Sequence, residues 1–222
     1  MSFSPEWDDA YRSGTHLSRW PWSDLVSFVY RYAKPTDGFN RVLELGCGVG
    51  ANIPFFLDLG VIYYAVEGSP NAVARILAAY PDLQERVVNT DFAELIPFSG
   101  PFDLVVDRSA LIHNPTEAMR GTLRMISDRL RPGGKFIGID WFSSDHQDFA
   151  GGELVDLSTR TNFKAGEFYG IGNVHFCNEE HLSNLIAEAG LLLEYLEHKR
   201  TEVLVSASCD RFGYWNFVAI KP

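Results

Sequence analysis

An apolar strand that runs directly into a glycine-rich turn constrains this chain more than any other feature. Arg41-Val42-Leu43-Glu44-Leu45 is followed by Gly46-Cys47-Gly48-Val49-Gly50-Ala51-Asn52, and then by the apolar segment Ile53-Pro54-Phe55-Phe56-Leu57. The pattern predicts a buried strand over 41–45 and a helix over 51–59. Glycines at alternating positions let the backbone turn sharply and approach a ligand with no Cβ in the way. The helix start behind them offers unpaired N–H groups. A strand, turn and helix of this kind belong to an open parallel sheet that binds a nucleotide-like ligand across its C-terminal edge.

The rest of the chain continues the alternation. Val61 to Val66 is a near-continuous apolar run, the mark of a strand buried on both faces. It ends at Glu67-Gly68-Ser69-Pro70, where Ser69 caps the next helix and Pro70 suits its first position. Val73, Ile76, Leu77 and Tyr80 mark that helix's buried face. Residues 86–89 read as a short third strand, and Asp91 caps a short helix near Ala93 to Leu95. Strand 4 is Phe102 to Asp107. Asn114-Pro115 starts a helix with its core face at Met119, Leu123, Ile126 and Leu130. That helix stops at Pro132-Gly133-Gly134, before a strand from Lys135 to Asp140. A further helix presents Leu182, Leu185, Ile186 and Ala189, and Gly190 closes it. Strands at Leu191 to His198 and Tyr214 to Ile220 end the chain.

Two cofactors compete for the glycine turn. Gly46, Gly48 and Ala51 fit the dinucleotide pattern G-x-G-x-x-G/A, with Glu67 placed to hold a ribose hydroxyl, which is the case for an NAD(P)-dependent oxidoreductase. Gly46, Gly48 and Gly50, with Glu44 two residues before them, resemble instead the first motif of the class I S-adenosylmethionine-dependent methyltransferases. Glu44 favours the second reading: a carboxylate repels a pyrophosphate and attracts the ammonium and sulfonium of S-adenosylmethionine. Leu130-Arg131-Pro132-Gly133-Gly134-Lys135 is similar to a second element of that family, and Phe102-Asp103-Leu104-Val105 to its fourth strand.

The resemblance implies a Rossmann-like doubly wound α/β fold, a seven-stranded sheet of order 3-2-1-4-5-7-6 with strand 7 antiparallel. It implies S-adenosyl-L-methionine as cofactor, held by Glu44, Gly46, Cys47, Gly48, Gly50, Asn52, Glu67, Gly68, Ser69, Asp91, Phe92, Asp107 and Arg108. Within that set Glu67 takes the ribose hydroxyls, Asp91 the adenine amino group and Phe92 the ring face. Residues 1–40 resemble the N-terminal helical cap of bacterial small-molecule members, and 141–177 is a long polar, glycine-containing insertion expected to act as an acceptor-site lid. His113 and Asp107 are the candidate catalytic groups. Tyr11, Trp20, His113, Trp141, Tyr169 and His175 are the candidate acceptor contacts. A non-catalytic S-adenosylmethionine-binding protein is the reading from a different class.

Composition narrows the partners. Formal net charge is −10 over 222 residues, which argues against a broad phosphate-binding surface and hence against nucleic acid. No apolar run approaches the roughly 20 residues of a membrane span, and residues 1–9 lack the apolar core of a signal peptide. Cys47, Cys177 and Cys209 are widely spaced and read as reduced thiols of a cytoplasmic protein. Asp140, His146 and His175 match no metal-ligand spacing, so no metal is expected. The chain reads as one domain, acting as monomer or homodimer on a small-molecule acceptor.

Overall fold

Strands β1 (Arg41–Leu45), β2 (Ile62–Glu67) and β3 (Val87–Asn89) pair in parallel, and β4 (Phe102–Arg108) and β5 (Leu130–Phe142) extend the sheet on the other side of β1. This computed structural model describes residues 4–34, 41–205 and 210–222. Pro35-Thr36-Asp37-Gly38, whose sequence reads as a turn, and the thiol of Cys209 lie outside the described residues. The last two strands, β9 (Leu192–Glu202) and β10 (Arg211–Ile220), complete a seven-stranded sheet of order β3-β2-β1-β4-β5-β10-β9. β10 is antiparallel to both of its neighbours. This is the order that the family resemblance implies, with β9 and β10 as its sixth and seventh strands.

Helices cover both faces because the central strands are apolar on both. One core lies under α5 (Thr116–Arg129) and α6 (Glu179–Glu188), with Met119, Leu123, Ile126, Leu182 and Ile186 fully buried. The other lies under α2 (Ser23–Phe28), α3 (Ile53–Asp58) and α4 (Pro70–Ala79), around Leu25, Phe56, Tyr63 and Ile76. Ser69 caps α4, its Oγ accepting the Ala72 amide at 3.0 Å. No helix among the described residues is long and apolar enough to cross a membrane.

Four local expectations are corrected. α2 continues as a turn of π-helix, Val29–Ala33. Helical spacing in the sequence puts Leu25, Val26, Val29 and Tyr30 on one face, but with the wider turn Phe28 and Val29 are inside and Tyr30 is exposed. The segment after Asp91 is a turn rather than a helix, closed by the Glu94 and Leu95 amides on the Asp91 carbonyl. α5 receives no side-chain cap from Asn114 or Pro115. Instead the Thr116 amide donates to Asp156 Oδ2 at 2.9 Å.

The fourth correction concerns residues 141–177. β5 runs on through Phe142, and the segment then forms an antiparallel sheet of its own from β6 (Glu153–Leu154), β7 (Thr159–Thr161) and β8 (Val174–His175). Phe142, Phe163, Phe168 and Phe176 are buried together beneath it. Their spacing follows neither the helix nor the strand period, so the sequence reads as a polar loop although the segment carries its own core.

Candidate active site

The glycine turn leaves β1 with the Gly46 amide bonded to the Val66 carbonyl of β2 at 2.8 Å. Gly46, Gly48 and Gly50 all have positive φ, at 60°, 55° and 85°. A Cβ on Gly46 would lie 2.2 Å from the Ala110 Cβ, and one on Gly48 2.9 Å from the Tyr11 hydroxyl. The turn is therefore wedged between the end of β4 and the N-terminal helix, and only glycine fits.

Three carboxyl groups surround it. Glu67, at the end of β2, accepts the Gly48 amide on Oε2 and the Ser69 amide on Oε1, both at 2.8 Å. Burial raises its pKa, against the opposing pull of the Ser69, Gly48 and Gly68 amides. A carboxylate offers about four acceptor positions, so pinning Glu67 in this way leaves capacity for two ligand hydroxyls. Glu44 is buried, with Oε1 accepting from Asn52 Nδ2 at 2.7 Å and Oε2 from the Tyr63 hydroxyl at 2.5 Å. It ties the turn to β1 and β2, and Asn52 Oδ1 passes the link on to the Trp22 amide at 3.2 Å. Asp91 follows β3 and accepts the Ala93 amide on Oδ1 at 3.0 Å. Phe92 packs beside the turn, 3.5 Å from where a Gly46 Cβ would stand.

α1 (Pro5–Ser13) roofs this region. Its Asp8 accepts from the side chain and the amide of Asn71 at the start of α4, at 2.8 and 3.1 Å, and from the Ser69 hydroxyl. That docking turns Trp7 and Tyr11 toward the glycine turn. Glu44, Glu67, Gly68, Asp91 and Phe92 line a half-open cavity of about 510 Å³.

The other half of the cavity reaches the expected acceptor region. His113 is nearly buried, its ring edge-on to Trp7 with centroids 5.0 Å apart. Its Nδ1 faces the Asn173 carbonyl at 2.9 Å. A carbonyl only accepts, so Nδ1 carries the proton and Nε2 is the acceptor. Burial pushes the His113 pKa down to about 4, so the ring is neutral at pH 7. Beside it, Asp140 Oδ2 pairs with Arg108 at 3.1 Å and Oδ1 with Lys199 at 3.3 Å. Lys199 also pairs with Asp24. The Arg108 guanidinium lies over the Trp22 ring, 3.6 Å from its centroid, while its Nε is buried without a partner. Ser109 and Asp140 hold left-handed φ of 53° and 55°. The Ser109 hydroxyl donates to the Asp140 carbonyl at 2.7 Å, and the Asp140 amide donates to Asn216 at 2.8 Å. Non-glycine residues in this conformation are held there by their surroundings and cluster at functional sites.

Of the residues expected at the site, Glu44, Gly46, Cys47, Gly48, Asn52, Glu67, Gly68, Asp91, Phe92, Arg108, Tyr11 and His113 line the cavity. Gly50 supports the turn from behind, against Ile53 and Ile76, and Ser69 is buried as the α4 cap. Asp107 does not line it. Its Oδ1 accepts the Leu111 amide at 2.9 Å and its Oδ2 the Trp141 indole at 2.6 Å. Burial raises its pKa to about 7. Asp107 and Trp141 thus form a buried pair that shapes the chain leading to His113. Trp20 and Tyr169 are exposed, and His175 is buried against Thr159 and His181. Asp140, His146 and His175 do not converge: His146 faces Glu167 and Asp140 faces its two cations.

Sequence reading placed Phe142 and Phe168 only within the insertion at large and missed Lys199 and Tyr214; all four line the cavity. Tyr214 is brought there by the register of β10, which sets it opposite both Phe142 and Lys199. No local signal marks that pairing.

A family model described as a methyltransferase domain matches residues 17–196. A cypemycin N-terminal methyltransferase from Streptomyces sp. is 30% identical over 116 residues, 51% of this chain and 46% of the relative. A malonyl-[acyl-carrier protein] O-methyltransferase from Chlorobium luteolum is 30% identical over 149 residues, 65% of this chain and 56% of the relative. The chain thus spans about half the length of these curated relatives. Among solved structures, a SAM-dependent methyltransferase from Methanosarcina mazei superposes with a TM-score of 0.68 at 13% identity, covering 91% of this chain and 98% of the other. An amino pentose methyltransferase from Micromonospora echinaspora gives 0.63 at 22% identity, covering 99% and 98%. These two likenesses establish the shared fold.

Proposed function

Since the chain belongs to the methyltransferase domain family, we propose that it transfers a methyl group from S-adenosylmethionine to a small-molecule acceptor, releasing S-adenosylhomocysteine. One observation carries this reading: Glu67, fastened by the amides of Gly48 and Ser69, stands beside a turn whose three glycines take positive φ, in the lining of a half-open cavity. The residues fit the cofactor. Glu67 would hold the ribose hydroxyls, Asp91 the adenine amino group and Phe92 the ring, while the bare turn allows close approach. The third glycine of the motif is Gly50, with φ of 85° and Ile53 Cδ1 2.7 Å from where its Cβ would stand. This supports the methyltransferase reading of the turn over the dinucleotide one.

Bound S-adenosylmethionine supplies a methyl already activated on a sulfonium. The chain's task is then to hold an acceptor in line, and orientation of this kind is worth on the order of 7–11 kcal/mol of a barrier. Tyr11 and Trp7 close the site from α1. Phe142, Phe168 and Tyr214 give it apolar walls. Neutral His113 presents Nε2 as an acceptor for an acceptor's O–H or N–H, orienting it and receiving its proton where the chemistry requires. The cavity volume of about 510 Å³ and the net charge of −10 support a small molecule over a nucleic acid.

Calorimetric titration with S-adenosylhomocysteine, S-adenosylmethionine, NAD and NADP tests the reading. Binding of the two adenosyl ligands alone is expected. Binding of NAD or NADP alone would overturn it. Release of S-adenosylhomocysteine across a panel of small hydroxyl, amine and thiol acceptors then separates an enzyme from a binding protein.

A further inference from the structure

Outside the cavity, one cluster of side chains has no role in the function above. His175 lies on β8, Cys177 two residues on, and His181 in the first turn of α6. Their donor atoms lie within 4.8 Å of one another. The two Nε2 atoms face each other at 3.0 Å. We propose that His175, Cys177 and His181 bind a divalent transition metal of the zinc class, which clips the small sheet of the insertion to α6.

The local geometry follows from the sequence His175-Phe176-Cys177-Asn178-Glu179-Glu180-His181. Residues two apart on extended chain share a face, so His175 and Cys177 point the same way while Phe176 turns into the aromatic core. Asn178 then caps α6, its Oδ1 accepting the His181 amide at 2.7 Å. That cap folds the first helical turn back over β8 and brings the His181 ring onto His175, with centroids 5.1 Å apart. The backbone of Cys177 is fixed on both sides. Its amide donates to Phe142 at 2.8 Å, and its carbonyl accepts from Ser144 and Trp215, each at 2.9 Å.

The chemistry of the donors suits a metal. Nδ1 of His175 is 2.9 Å from the Thr159 hydroxyl, which orients the ring and leaves Nε2 to face the cluster. Such an outer partner is the usual companion of a ligating histidine. Tetrahedral zinc with two imidazole ligands sets their nitrogens about 3.3 Å apart, close to the spacing here. Two imidazoles and a thiolate are a borderline-soft set that selects zinc or cobalt over magnesium or calcium. Charged neighbours are balanced: Asp156, Glu188 and Arg120 act on His181, and Arg120 is itself paired with Glu117 and Glu188. Metal binding releases the Cys177 proton to solvent, and a water fills the fourth position.

The site also bears on the cavity. Asn173, immediately before β8, supplies the carbonyl that holds His113 Nδ1. A metal that fixes β8 therefore fixes the acceptor-side histidine, whatever the acceptor is.

The test uses the whole chain, stripped with a chelator and loaded with equimolar cobalt(II) or zinc(II). Cobalt is expected to give a thiolate charge-transfer band and the intense visible absorption of a tetrahedral site. The C177S variant should lose the charge-transfer band. The H181Q variant, altered at a half-buried position, should fold yet lose the rise in thermal midpoint that zinc gives the unaltered chain. Absence of both the band and the zinc-dependent rise would leave a simple hydrogen bond between the two imidazoles and overturn the proposal. Undiminished cobalt and zinc responses in H181Q would also overturn it, by placing the metal elsewhere.

Discussion

The carboxylate of Glu67 accepts the amide of Gly48 at 2.8 Å across a sequence separation of 19 residues. This bond joins the end of β2 to the middle of the glycine turn, so the acid that would hold a ribose also shapes the loop that approaches it. Glu67→Gln keeps the size but loses the charge, and it turns one of the two oxygens that accept the Gly48 and Ser69 amides into a donor. Hydrogen bonds to charged groups are worth about 1.5–3 kcal/mol, so S-adenosylhomocysteine should bind roughly 10- to 100-fold more weakly to this variant in calorimetry. An unchanged affinity would remove Glu67 from the site.

Gly46 and Gly60 both have positive φ, but only Gly46 is hemmed in: its Cβ would meet Ala110 at 2.2 Å, whereas nothing lies within 4 Å of one on Gly60. Gly60→Ala should cost only the left-handed backbone penalty, about 1–2 kcal/mol, and leave cofactor affinity intact. Gly46→Ala should cost more in urea unfolding and abolish cofactor binding.

His113 gives stability a pH dependence with a defined sign. Its folded pKa is about 4, below its ordinary value of 6.5. Between those values the unfolded chain binds a proton that the folded chain refuses. The contribution is therefore full above about pH 6.5 and lost as pH falls toward 4. A shift of this size corresponds to roughly 3 kcal/mol. Thermal midpoints measured from pH 7 to 4 should fall less steeply for His113→Gln than for the unaltered chain. Parallel curves would show that the ring titrates normally.

Trp141→Phe should act on stability. It removes the donor from Asp107 Oδ2, which is fully buried and bonded at 2.6 Å. An orphaned buried acceptor costs about 1–3 kcal/mol, read as a lower urea midpoint. A loss confined to acceptor affinity, with stability unchanged, would instead return Trp141 to the acceptor contacts.

Asp156 caps α5 from outside the helix and also accepts the Ser158 and Thr159 amides at 2.9 and 2.8 Å. Asp156→Ala should lower stability by about 1 kcal/mol, as loss of a helix cap does. The same variant should loosen the β6–β7 turn, which faster amide exchange at Ser158 and Thr159 would register.

The residues expected to hold a cofactor could be picked out in the sequence because they lie in short-range features, and most of them line one cavity. A glycine turn after an apolar strand, an acid at the next strand's end and an Asp-Phe pair after the third each sit where a βαβ unit must put them. The alternation of strand and helix likewise predicted a parallel α/β sheet, and the order of its strands came from the family resemblance of the motifs. The other side of the cavity was not legible. Tyr214 and Lys199 enter it only through the pairing of β10 with β5 and β9, and Trp7 only because Asp8 docks α1 on α4. Trp141 and His175 have the chemistry of acceptor contacts but are buried against Asp107 and His181. Local backbone preference and hydrophobic period determine which segments become strands and turns. Which side chains meet across a cavity depends on register and docking between distant segments, and those are decided only when the layers pack.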